Sequence, residues 1–124
     1  MKIVIMGQGI VGKKAYCFAL RIIKAYKFLS EHKKEFVLSK QILRSGTAIG
    51  ALCREAEHAQ SKADFLNKMN VALKEANETE YWLMLLKDSD YIDEDSYISI
   101  ENDCNELISL LVSIVKSTKT SLSQ

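Results

Sequence analysis

Proline is absent from all 124 residues, glycine occurs five times and histidine twice, and the three cysteines never fall in a CxxC pair. Each absence excludes something. Without proline no helix is forced to break, and without paired cysteines there is neither a disulfide framework nor a structural zinc site. No apolar run approaches the roughly 18 residues that a spanning helix needs. Lys2 is followed only by Ile3, Val4, Ile5 and Met6 before Gly7, too short for a secretory signal, so the cytoplasm is the expected compartment. With 48% hydrophobic and 27% charged residues, the composition is that of an ordinary globular chain, neither disordered nor membrane-embedded. Its length suits one domain.

What is present is helical periodicity. Leu38, Ile42, Ser45, Ile49, Leu52 and Ala56 recur by threes and fours, as do Phe65, Met69, Ala72, Ala76, Thr79, Leu83 and Leu86. A further stripe runs Tyr97, Ile100, Cys104, Leu107, Leu111, Ile114, and the first, wider one carries Tyr16, Ala19, Ile23 and Tyr26 beside Phe18, Ile22 and Leu29. Such steps keep side chains on one face of a 3.6-residue helix. Helices are predicted from about Lys13 to Ser30, Glu35 to Glu57, Ser61 to Lys87, and Asp93 into the last turns. Ser61 with Asp64 resembles a capping box, and Asp93, Glu94 and Asp95 suit a helix N-terminus. Short connections make neighbouring helices antiparallel. The predicted fold is all-α, an up-down-up-down four-helix bundle over residues 13–122 behind a short irregular arm, residues 1–12. Cys17, Cys53 and Cys104 lie on or beside the stripes and are expected as buried thiols.

Three motifs suggest chemistry and fail on context. Gly7-Gln8-Gly9-Ile10-Val11-Gly12 is a literal GxGxxG, yet the second parallel strand that a dinucleotide fold requires is missing, because Arg21 to Glu31 is helical and lysine-rich. Glu55-Ala56-Glu57-His58 is one ExxH, where a di-iron bundle needs two plus further carboxylates. Glu75, Glu78 and Glu80 have no histidine or nucleophile to work with. No catalytic residue, metal or cofactor is expected. In the second predicted helix, Gly46 and Gly50 each cost up to about 1 kcal/mol relative to alanine, so close packing against the first or third helix is expected to compensate.

Charge is the remaining signal. Up to Lys62, twelve bases face four acids, a net of +8; from Ala63 onward, five bases face twelve acids, a net of −7. Lys33, Lys40, Arg44 and Arg54 are placed opposite Leu38 and Ile42, and Arg21, Lys24 and Lys27 add charge from the first helix. Phosphate backbones bind such faces through counterion release, so these seven residues are the candidate nucleic-acid site. Apolar residues off the stripes, among them Phe28, Phe36, Leu66, Leu85, Ile92 and Ile108, predict self-association. The rival expectation is a protein adaptor that docks a basic partner on the acidic third and fourth helices and binds no nucleic acid.

The segments Phe18-Ala19-Leu20-Arg21-Ile22-Ile23, Leu38 through Ala51 with Glu55, Gln60-Ser61-Lys62, and Lys74-Glu75-Ala76 through Tyr81-Trp82-Leu83 carry a family likeness. The chain resembles the bacterial four-helix bundle family called the 23S rRNA intervening-sequence proteins, from about Ala15 to Leu122. The resemblance implies an antiparallel bundle that assembles into a ring-shaped homopentamer. A related branch, the accessory proteins of diversity-generating retroelements, uses a basic pentamer to bind nucleic acid and a reverse transcriptase. Residues 1–12 fall outside the family's usual start.

Overall fold

The computed structural model describes residues 5–124, with side chains from Gly9 onward. It holds four helices, α1 (Ile5–Glu31), α2 (Leu38–Ala56), α3 (Lys62–Asp88) and α4 (Glu94–Leu122), and no strand among the described residues. The two 27-residue helices are about 40 Å long at 1.5 Å per residue. Each helix packs on its chain neighbours, and α1 touches α4 more sparsely to close the bundle. The core is one cluster drawn from all four helices, including Phe18, Ile22, Ile42, Ile49, Phe65, Leu83, Leu107 and Leu111.

Local chemistry sets the helix ends. Glu35 lies just ahead of α2, and its carboxylate accepts from the backbone N–H groups of Val37, Leu38 and Ser39 at 3.2, 3.0 and 2.7 Å. It thereby satisfies donors that the first turn leaves open. Burial raises the Glu35 pKa, but those N–H bonds, with Leu38 foremost, outweigh it and hold the carboxyl below its ordinary value. Helix α2 thus starts at Leu38 rather than Glu35, because Glu35 caps the helix from outside it. At α3, Ser61 accepts from the Asp64 N–H, while Asp64 accepts from the N–H of Gln60 instead of that of Ser61, a capping box displaced by one residue. Asp93 caps α4 by accepting from the Ser96 N–H at 2.7 Å.

Four expectations are corrected. Helix α1 begins at Ile5, two turns ahead of the Lys13 start that the glycines predict. Val11 and Ala15 extend the buried stripe toward the N-terminus and are fully covered, which offsets the helical cost of Gly9 and Gly12. The GxGxxG run is therefore helical backbone and not a phosphate loop, and residues 1–4 of the arm lie outside the described residues. The core face of α1 is Phe18, Ile22 and Leu29, while Tyr16 is 62% exposed and Ala19, Ile23 and Tyr26 are half-buried. Cys17 is exposed, unlike the buried Cys53 and Cys104. On α4 the buried line drifts to Val115 and Thr118 instead of Ile114, and takes in Glu101. On α3, all seven stripe residues are buried as the spacing predicts.

Gly46 shows why α2 tolerates glycine. A Cβ there would stand 2.7 Å and 2.9 Å from two side-chain carbons of Ile22, which is fully buried and has nowhere to move. The glycine therefore lets α1 and α2 approach closely. Gly50 faces Ala15 at 3.6 Å, an ordinary contact.

Candidate nucleic-acid interface

Because α1 packs on α2 and α3 on α4, the charge split along the sequence becomes a split in space. One flank of the bundle is basic and the other acidic. The seven candidate cations nevertheless do not form one patch.

Arg21 is an inter-helix clamp. Its Nη1 donates to the Ser99 carbonyl at 3.1 Å and to Asp103 Oδ2 at 2.7 Å, and its Nη2 donates to Ser99 Oγ at 2.9 Å, tying α1 to α4. Arg44 does the same between α2 and α3, donating to Glu75 at 3.2 Å and to Glu78. The Glu78 hydrogen bond raises the Arg44 pKa. Trp82 Nε1 donates to the same Glu78 at 2.9 Å, and this bond is the leading cause of the lowered Glu78 pKa. Glu75 and Glu78 are thus consumed by structure, which accounts for two of the three carboxylates singled out in the sequence.

Arg21, Lys24 and Lys33 line a groove of about 980 Å³ between α1, α4 and the α3–α4 turn, but Asp90, Asp93 and Asp95 line it too. Leu29, Ile42, Leu83 and Leu86 form its fully covered floor and Phe28 stands exposed at its wall, so the groove is charge-compensated with a closed apolar floor. The Lys33 ammonium lies 5.8 Å from the Phe28 ring, within reach of a cation–π contact. Lys27, Lys40 and Arg54 are exposed, and none of them, nor Lys24, appears among the ion pairs of the described residues. Glu55 of the ExxH run pairs with Lys68 at 3.4 Å, and His58 is exposed at the helix end.

Sequence reasoning missed the α3–α4 seam. Glu101 is 9% exposed on the buried line of α4, accepts from Asn105 Nδ2 at 3.3 Å and hydrogen-bonds with Glu80 of α3. Burial first, then the Glu80 hydrogen bond and charge, push Glu101 up to about 7. Around it stand Cys104, whose Sγ donates to the Ala76 carbonyl at 3.5 Å, and Tyr97, whose ring lies 4.9 Å from the Lys87 ammonium. Burial, then the Glu80 and Glu101 charges, raise the Cys104 thiol to about 12. A glutamate on an otherwise apolar stripe was the available signal: Glu101 is three residues before Cys104 and seven before Ile108.

Four helices packed in chain order around one apolar core define the class of protein, a four-helix bundle. Consistent with that class, the 23S rRNA-intervening sequence protein family matches residues 8–113, and this chain belongs to it. The match starts ahead of Gly12, inside the segment expected to lie outside the family. The chain is also similar to a crystal structure of a protein of unknown function from the S23 ribosomal protein family of Bacteroides thetaiotaomicron. The two share 60% identity at a TM-score of 0.87, over 89% of this chain and 98% of that one. No curated protein matches the chain.

Proposed function

We propose that this chain is a non-enzymatic, self-assembling helical scaffold of the cytoplasm that holds the phosphate backbone of RNA or DNA on its α1–α2 flank. Lys40 and Arg54 of α2 make the contacts, while Arg21 and Arg44 hold the bundle together. The observation that carries this reading is the separation of charge: on the α1–α2 flank Lys40 and Arg54 are exposed and stand outside the ion pairs of the described residues. A homopentameric ring, as the family resemblance implies, would repeat a weak phosphate contact five times and turn it into avidity.

The test is retention of labelled RNA at low salt by wild type and by Lys40→Glu/Arg54→Glu. Each phosphate contact contributes roughly −0.7 to −0.9 to the slope of log affinity against log salt. The double variant is expected to bind at least tenfold more weakly with a shallower slope. Equal retention, or no retention by wild type, would refute the phosphate-binding reading.

A further inference from the structure

The oligomeric part of the reading above leaves open which surfaces of two copies meet, and two faces of this chain answer each other. Helix α1 is apolar on both sides. Leu20 stands two residues from both Phe18 and Ile22, hence about 200° around the helix from each, yet Leu20, Tyr16 and Phe28 are 43% to 62% exposed. Between them are Lys13, Lys24 and Lys27, and the helix has no acid before Glu31. A helix that is apolar all round is ordinarily covered all round.

The second face is the outer side of the α3–α4 seam. Tyr81, Met84 and Ile98 are 46% to 55% exposed there. Met84 lies one turn beyond Glu80, and Ile98 one turn before Glu101, so these apolar groups flank the carboxyl pair. Asp88 is exposed one turn beyond Met84. Neither Glu80 nor Glu101 appears among the ion pairs of the described residues, while Lys87 pairs with Asp88 at 3.7 Å and lies over the Tyr97 ring. The seam thus carries exposed apolar groups among acids that Lys87 alone does not balance, and the outer face of α1 carries exposed apolar groups among lysines.

We propose that the outward face of α1 in one copy packs on the outward α3–α4 seam of the next, with Leu20 and Phe28 against Tyr81, Met84 and Ile98, and with Lys24 opposite the acidic edge of the seam at Glu80 and Asp88. Since the two surfaces differ, the contact is heterologous and runs head to tail, closing a ring when the rotation permits. It also divides the basic flank: α1 lysines are spent between copies, and the α2 cations Lys40 and Arg54 stay outside for phosphate.

Light scattering tests the pairing. One variant reverses α1 (Lys13→Glu/Lys24→Glu), a second reverses the seam (Glu80→Lys/Asp88→Lys), and a third chain carries all four changes, with circular dichroism verifying that each remains helical. Wild type is expected at a multiple of 14 kDa, each single-face variant at the mass of one chain, and the four-fold variant back near the wild-type mass. A monomeric wild type, single-face variants of unchanged mass, or a four-fold variant that stays monomeric would each overturn the pairing. So would a wild-type monomer that sediments with anionic phospholipid vesicles or RNA through Lys24, which would give α1 a different occupant. RNA retention by Lys40→Glu/Arg54→Glu at unchanged mass is a separate readout, so the phosphate reading and the pairing fail independently.

Discussion

The α1–α2 and α3–α4 seams are built by opposite means. In the first, Gly46 admits Ile22 so closely that a single methyl group would collide with it. In the second, a buried Glu101 shares a hydrogen bond with Glu80. The first seam is set by shape and is intolerant of added volume. The second, packed on the same apolar core, adds a protonated carboxyl contact whose contribution falls as pH rises. A bundle can thus carry one rigid and one adjustable joint, and here the adjustable joint lies on the acidic flank.

The comparison breaks most visibly at Ile22. Ile22→Ala is expected to cost about 2–5 kcal/mol in denaturant unfolding through the cavity it leaves. Gly46→Ala in that background should cost much less than in wild type, because the two side chains share one space. Additive losses would mean that the α1–α2 approach is not set by this pair.

Glu101 gives the next effect. Its folded pKa of about 7 lies above its ordinary 4.5, so the native state binds more protons than the unfolded chain between those values. The stabilisation is fully present below about pH 4.5 and is lost as pH rises through about 7, a swing of at most about 3 kcal/mol. Thermal unfolding of Glu101→Gln should show a flatter profile and, at pH 8, a higher melting temperature than wild type. A wild-type profile without that slope would remove the proton from the α3–α4 joint.

Glycine replacement sharpens the same contrast on a smaller scale. Gly46→Ala should destabilise by about 1–3 kcal/mol through overpacking, in spite of the better helix propensity. Gly50→Ala, with room at 3.6 Å, should be neutral or gain up to about 1 kcal/mol. Smallest of all, Arg21→Ala should cost no more than about 1 kcal/mol, because its ion pair is substantially exposed and screened.

Much of the fold was legible in the sequence because the core is apolar and periodic. Helix α3 is the clearest case, since all seven residues of its expected stripe are buried. Helix α1 was harder for a definite reason: it has two apolar faces, and periodicity cannot say which meets the core and which meets something else. The start of α1 was hidden by Gly7, Gly9 and Gly12, whose local penalty is outweighed by tertiary burial of Val11. Of the candidate site, the exposure of Lys27, Lys40 and Arg54 was legible from their spacing. The clamping of Arg21 and Arg44 was not, because their carboxylate partners are 31 to 82 residues away. The Glu80–Glu101 contact also joins separate helices, and it pairs two acids, which charge patterns argue against.

Cys17 offers the most direct measurement. It is exposed on α1 beside Leu20 and Lys24, whereas Cys53 and Cys104 are buried with thiols raised to about 11 and about 12, so at neutral pH alkylation reports on Cys17 alone. The rate of its reaction with iodoacetamide, followed against protein concentration, should be fast in dilute solution and fall as copies cover the α1 face. A rate that stays fast and independent of concentration would leave α1 uncovered and contradict the assembly described here.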